Sequence, residues 1–198
     1  MTRWEQFFQE DERALSVPPS YSVRNAVGVF SKRNKHNILD LGCGLGRDYF
    51  YLAENGFFVI GVDLAESGLM IAKQIGKSKG IATILVKSDA KSLPFPDKSF
   101  EGVYCFGLLH EFTGETKDND IRKVMSEIYR ILKFSGVLVL AVLSGEPVEG
   151  LPDVYLFTEQ MFDNYTRSFQ LVDKRQFNDI GCTGKKDYRV WYGIFTKQ

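Results

Sequence analysis

Three glycines spaced two apart, Gly42, Gly44 and Gly46, stand directly after the apolar run Ile38-Leu-Asp-Leu41 and before Arg47-Asp48. Glycine at such a join lets the backbone turn sharply and approach a ligand with no Cβ in the way. Asp63 closes a second apolar run, Val59-Ile-Gly-Val-Asp63. It falls about 20 residues beyond the glycines, the separation at which a nucleotide site places its ribose-binding carboxylate. Taken alone, Asp63 reads as the N-cap of the next helix, and its register with the glycines makes it a candidate for both ribose hydroxyls. His110 lies in Phe106-Gly-Leu-Leu-His-Glu-Phe112, at the end of a further apolar run, and is one of two histidines. An imidazole titrates near neutral pH, so His110 can remove or orient a proton on a second substrate. The plainer alternative is a ring that only shapes a pocket, and Glu111 beside it reads equally as a solvated loop carboxylate or a catalytic one.

A dinucleotide-binding G-x-G-x-x-G pattern would need its third glycine at position 47, which is Arg47. The spacing found is G-x-G-x-G, with Asp40 two residues before Gly42, and it resembles motif I of the class I S-adenosylmethionine-dependent methyltransferases. The stretch from Asp89 through Leu93-Pro-Phe-Pro-Asp97 to Val103 is similar to the family pattern D-A-x-x-L-P-F-P-D-x-S-F-D-x-V, with Glu101 where aspartate is usual. The resemblance implies that S-adenosylmethionine is the cofactor and that Asp40 meets the ammonium of its methionine moiety. It implies further that Leu64 lies on the adenine face, that Asp89 accepts from the exocyclic amine, and that the Ala90 backbone touches the ring. Phe106 and Gly107 would stand beside the methionine end, and His110 falls where related small-molecule enzymes often carry a histidine. Recognisable motifs run from about Ile38 to Leu143 and look most like the small-molecule branch that includes quinone-biosynthesis and tellurite-resistance methyltransferases.

The elements that must position these residues alternate. Strands are expected at Ile38–Leu41, Phe57–Val62, near Ala82–Val86, at Phe100–Phe106 and at Gly136–Leu143. Helices fall between them at Asp48–Glu54, Ser67–Lys79 and about Asn119–Leu132. Strands separated by helices imply a parallel sheet with right-handed crossovers. In the last helix Ile121, Val124, Met125, Ile128, Ile131 and Leu132 recur at three- and four-residue steps, giving one apolar face for the sheet. Ahead of the core, Trp4, Phe7, Phe8 and Leu15 have helical spacing, Pro18-Pro19 breaks the pattern, and a second helix can start after Ser20. With Tyr21, those aromatics read either as a cover over the site or, more plainly, as an amphipathic helix packed on the core. After Ser144, Gly145, Pro147, Gly150 and Pro152 make a loop whose Tyr155 and Phe157 are candidates for another wall. Thr158 can cap a helix to about Ser168, and Gln170–Phe177 with Tyr188–Thr196 reads as an antiparallel hairpin whose tip carries Lys185-Lys186.

The fold class expected is therefore α/β. The family resemblance implies a Rossmann-like, doubly wound, seven-stranded and mostly parallel sheet with an antiparallel last strand, preceded by N-terminal helices. The chain reads as a single methyltransferase domain, 1–198, made of an N-terminal helical segment (1–35), a cofactor-binding core (36–143) and a C-terminal helix and β-hairpin (144–198).

Lys plus Arg and Asp plus Glu both number 25, so no global field favours nucleic acid or an anionic membrane, and a small-molecule methyl acceptor is expected with no nucleic-acid partner. Cys43, Cys105 and Cys182 are scattered, with no metal or redox spacing, and read as reduced thiols of a cytoplasmic protein. No metal site is expected, and no apolar stretch approaches the length of a membrane span. The sequence carries no signal of oligomeric state. The reaction expected is in-line methyl transfer, in which the protein holds nucleophile, methyl and sulfur in line and excludes water. The alternatives are a cofactor-binding regulatory or partner-dependent module without its own chemistry, and a methyltransferase acting on a macromolecule.

Overall fold

The computed structural model describes residues 3–10, 17–145, 154–180 and 187–198. Leu15, the loop residues Pro147, Gly150 and Pro152, Cys182 and the Lys185-Lys186 pair lie outside the described residues.

Seven strands form one sheet: β1 (Asn37–Leu41), β2 (Phe58–Asp63), β3 (Ile84–Lys87), β4 (Phe100–Phe106), β5 (Leu132–Leu143), β6 (Gln170–Ile180) and β7 (Asp187–Thr196). Their spatial order is β3-β2-β1-β4-β5-β7-β6, with β7 antiparallel to both its neighbours and the first five strands parallel. The chain winds outward from β1 to β3 and then crosses back to β4. The carboxyl ends of β1 and β4 therefore diverge at a switch point, where open α/β sheets bind ligands. Asp40, Asp63 and Phe106 all fall at that edge.

Helices α2 (Tyr21–Lys32), α3 (Arg47–Glu54), α4 (Glu66–Lys79), α5 (Lys117–Ile131) and α6 (Glu159–Thr166) cover the sheet, and α1 (Arg3–Glu10) lies on α4. The side-chain period of two sorts the core. Val137, Val139 and Ala141 of β5 join Val23, Ala26 and Phe30 of α2 on one face, while Leu138, Leu140 and Val142 meet the α5 stripe on the other. Ser20 caps α2, its Oγ accepting from the Val23 N–H, and Thr158 caps α6 through Met161 in the same way.

Most boundaries lie within about two residues of the sequence reading, and two differ by more. The chain leaves α5 at Ile131 and enters β5 at Leu132, four residues before the expected start. The extra residues form a bulged lead: the register jumps from Phe100↔Leu132 to Gly102↔Val137, Ser135 has φ +56°, and a Cβ at Gly136 would stand 2.7 Å from the Lys133 carbonyl oxygen. β6 also runs three residues past Phe177, because Asn178, Asp179 and Ile180 find partners in Arg189, Tyr188 and Asp187. Asn-Asp is a turn-forming pair locally; ladder pairing overrides that preference here.

Gly102 on β4 is where α2 meets the sheet: a Cβ there would lie 2.6 Å from Ile38 Cδ1 and 2.7 Å from Phe30 Cε1. Gly102→Ala is expected to destabilise the fold by about 1–3 kcal/mol through overpacking, read as a lower urea midpoint at unchanged slope. An unaltered midpoint would mean that α2 does not pack as described.

Candidate active site

The site begins with the glycine loop. Gly42, Gly44 and Gly46 have φ of +82°, +51° and +82°, a left-handed backbone that glycine adopts without strain. The N–H groups of Gly42 and Cys43 both donate to the Val62 carbonyl, at 2.8 and 3.0 Å, so the loop is sewn to the end of β2. Gly44 N–H donates to Asp63 Oδ2 at 2.8 Å and Ala65 N–H to Asp63 Oδ1 at 2.9 Å. These bonds aim the Asp63 carboxylate and leave each oxygen a further lone pair for a ligand hydroxyl. Burial pushes the Asp63 carboxyl above its usual range, while the backbone N–H groups pull it down.

Asp40, at the end of β1, is 3% exposed, and its Oδ2 has no hydrogen-bond partner. Burial holds its carboxyl well above the usual carboxylate range, and repulsion from Asp48 and Asp63 adds to this against the pull of Arg47. A buried carboxylate oxygen without a partner is costly and suits a cationic group.

Asp40 and Asp63 open onto one cavity of about 650 Å³. Gly42, Gly44, Leu64, Asp89, Ala90, Phe106 and His110 line it too, so the fold gathers residues spread over 71 positions of sequence. Leu64 is 49% exposed and offers an apolar platform. Asp89 Oδ1 accepts from the Lys91 N–H at 2.9 Å, and the loop beyond it is clamped by α5. There Arg130 donates to the carbonyls of Leu93 and Phe95, and Glu127 accepts from the Leu93 N–H. Gly46 is the exception among the expected site residues. It does not reach the cavity wall but stands at the N-cap of α3, where a Cβ would lie 2.7 Å from Phe50 Cε2. Close packing on Phe50 by itself requires glycine there.

His110 sits in a single 3-10 turn, Leu109–Glu111, and is 6% exposed. The Leu143 N–H donates to His110 Nδ1 at 3.3 Å, and Nε2 is 3.6 Å from Glu111 Oε1. An amide N–H can only donate, so Nδ1 carries no proton and the neutral ring holds its proton on Nε2. Glu111 also faces the cavity. The Tyr155 N–H donates to the His110 carbonyl at 2.7 Å, which turns Val154 and Leu156 toward the cavity. The wall expected from Tyr155 and Phe157 is thus made by the alternate residues of an extended segment, and Phe157 goes to the core.

Trp4, Phe7 and Phe8 line the cavity, whereas Tyr21 does not: it is 42% exposed, and its N–H is bound by Asp179. Sequence reasoning missed the polar floor. Asp48 accepts from Ser20 N–H (2.9 Å), Ser20 Oγ (2.8 Å), Tyr104 OH (2.9 Å) and Arg47 Nε (3.2 Å). Asp179 of β6 accepts from the N–H groups of Tyr21 and Ser22 at the start of α2. These partners lie up to 158 positions apart, and no local pattern marks them. Among the described residues no cluster of His, Cys, Asp and Glu is arranged to hold a metal ion, and no helix is long and apolar enough to cross a membrane.

Because the folded chain holds the Asp40 proton more tightly than the unfolded chain does, stability falls as pH climbs from the ordinary carboxylate range, about 4, through the raised folded-state value. Asp40→Asn is therefore expected to raise Tm at pH 8 and to leave it nearly unchanged below about pH 4, with the gap growing in between. Thermal melts across that range check this, and a gap independent of pH contradicts it.

The family model described as a methyltransferase domain matches residues 39–140, just over half of the chain. The demethylmenaquinone methyltransferase of Thermus thermophilus is 31% identical over 134 residues, covering 67% of this chain and 58% of that protein. The chain spans between 41% and 58% of the length of three curated relatives it matches. Among solved structures, TehB from Haemophilus influenzae superposes with a TM-score of 0.74 at 14% identity, covering 98% of this chain and 67% of TehB. The 1,6-didemethyltoxoflavin-N1-methyltransferase of Burkholderia thailandensis, solved with S-adenosylhomocysteine, gives 0.68 at 20% identity, over 90% of this chain and 79% of that one. At such identities the structural likeness speaks for the fold alone, while the family match spans the glycine loop, Asp63, Asp89 and His110. With that match on this seven-stranded sheet, the chain belongs to the class I S-adenosylmethionine-dependent methyltransferases.

Proposed function

We propose that the chain, working as one domain, transfers the methyl group of S-adenosylmethionine to a small-molecule acceptor held in the same cavity. The observation that carries this reading is the pairing of two carboxylates in one largely apolar cavity: Asp40 with its unpartnered buried oxygen, and Asp63 aimed by two backbone N–H groups. Bound there, S-adenosylmethionine supplies an electrophilic methyl group on a sulfonium centre.

Asp40 takes the ammonium of the methionine moiety, and the cation restores the ionised form that burial disfavours. The glycine loop lets the backbone at Gly42 and Gly44 approach the ligand, and Gly46 closes the loop onto α3. Asp63 accepts from the ribose hydroxyls through its remaining lone pairs. Leu64 covers one adenine face, Asp89 accepts from the exocyclic amine, the Ala90 backbone borders the ring, and Phe106 stands at the methionine end. The acceptor is held against Leu143, Val154, Leu156 and Ile180, a mainly apolar wall that excludes water from the reacting atoms. With its proton on Nε2, His110 acts by orienting the acceptor, and an acceptor nucleophilic by its own chemistry needs no base from the protein. The balanced net charge supports a neutral or mixed-charge acceptor over nucleic acid.

Calorimetric titration with S-adenosylhomocysteine tests the cofactor roles. Wild type is expected to bind it and to ignore NADH, and Asp63→Ala is expected to weaken binding by about 1–3 kcal/mol through lost hydrogen bonds. Affinity unchanged in that variant removes Asp63 from the site. His110→Ala is expected to keep its affinity for S-adenosylhomocysteine and to turn over an identified acceptor about 10- to 100-fold more slowly through misorientation. Equal turnover would reduce His110 to a wall residue.

A further inference from the structure

Among the contacts that hold α1 over the glycine loop are one made by Glu5 and one made by Phe8, and of the cofactor motifs these touch Gly44 alone. The first is made by Glu5. Its Oε2 accepts from the Glu66 N–H at 3.1 Å, its Oε1 accepts from the Ser67 N–H at 2.9 Å, and Ser67 Oγ donates to its backbone carbonyl at 3.1 Å. The N-cap of α4 is Ala65, whose methyl group cannot accept a hydrogen bond, so Glu5 meets first-turn donors that α4 cannot satisfy from its own cap. A carboxylate at a helix N-terminus also lies at the favourable end of the helix dipole.

The second contact is a notch for Phe8. A Cβ at Gly68 would stand 2.8 Å from Phe8 Cδ2, and one at Gly44 would stand 3.0 Å from Phe8 Cζ, so the ring fits only because both positions are glycine. Gly68 lies in the first turn of α4, where glycine weakens a helix by about 1 kcal/mol relative to alanine; room for Phe8 accounts for it. An eight-residue helix is not stable by itself in water, so α1 keeps its form only while docked. Docked, it sets Trp4, Phe7 and Phe8 into the wall of the cavity that Asp63 and Leu64 also line.

We propose that α1 is a latched wall of the S-adenosylmethionine site, with Glu5 and Gly68 as its positioning residues, and that cofactor exchange requires Glu5 to leave α4 and Phe8 to leave the notch. This rests on the reading of the cavity as the cofactor site. The latch is local: its opening breaks the three hydrogen bonds of Glu5 and unseats the Phe8 ring while the sheet stays intact. Release of S-adenosylhomocysteine is then limited by unlatching rather than by the contacts of Asp40 and Asp63 alone.

The test is a chase experiment: protein loaded with radiolabelled S-adenosylhomocysteine is mixed with excess unlabelled compound, and the dissociation rate is followed for wild type, Glu5→Ala, Gly68→Ala and the double variant. Each single variant is expected to release the ligand about tenfold faster, Glu5→Ala by loss of the cap on α4 and Gly68→Ala by a methyl group that fills the Phe8 notch, with its urea midpoint showing an intact fold. The double variant is expected to be no faster than the faster single one, since both act on one latch. Dissociation within about twofold of wild type in both single variants, with binding retained, overturns the latch alone; rates that multiply in the double variant overturn its unity. Failure of wild-type protein to bind S-adenosylhomocysteine overturns the cofactor reading and the latch with it.

Discussion

The structure hangs on the fastening of the glycine loop to the end of β2. Gly42 and Cys43 give their N–H groups to Val62, and Gly44 gives its own to Asp63, so the loop that leaves β1 stays fastened to the end of β2 at the cavity. That fastening demands a backbone with positive φ at three nearby positions, which glycine supplies without strain. It also decides the chemistry. The bond that shapes the loop is the bond that aims the Asp63 carboxylate into the cavity, so loop geometry and the proposed ligand contact stand or fall together.

A second set of constraints lies under the other half of the cavity. Asp48 is buried among five donors from Ser20, Tyr104 and Arg47, and Asp179 closes the N-terminus of α2 from the far edge of the sheet. Burial and the neighbouring Asp48 hold the Tyr104 phenol well above its usual range, so it stays protonated and remains a donor. A buried carboxylate is tolerable only when its lone pairs are met. This network meets those of Asp48, whereas Asp40 keeps one oxygen without a partner. The contrast separates a structural carboxylate from one poised for a ligand, although both stand near the same cavity.

Under the proposed reading, stability and function are opposed at Asp40. Its unpartnered buried oxygen costs stability, as a binding group held ready for a cation would. The wall made by α1 depends on tertiary contact as well: the helix is too short to stand alone and is held on α4 through Glu5 and Phe8.

By itself, the sequence determined the sheet's parallel core, its closing antiparallel hairpin and the residues at the carboxyl ends of β1, β2 and β4. Each of these rests on local order: the period of apolar residues, the two-residue spacing of the glycines, and the distance from them to Asp63. Phe106 and His110 were legible in the same way, at the end of an apolar run, whereas Leu64, Asp89 and Ala90 were implied by the family resemblance of the stretches that hold them. Tertiary structure alone decided which neighbours those residues keep. It moved Gly46 from the cavity to a packing contact, put Val154 and Leu156 in the wall in place of Tyr155 and Phe157, set the proton of His110 on Nε2 through Leu143, and brought Glu5, Phe8 and Gly68 together over the loop. The physical reason is the range of the interactions. Periodicity and turn chemistry act over a few residues, whereas a cap, a notch or a buried carboxylate is satisfied by whichever donor the fold carries to it, here from as far as 158 positions away.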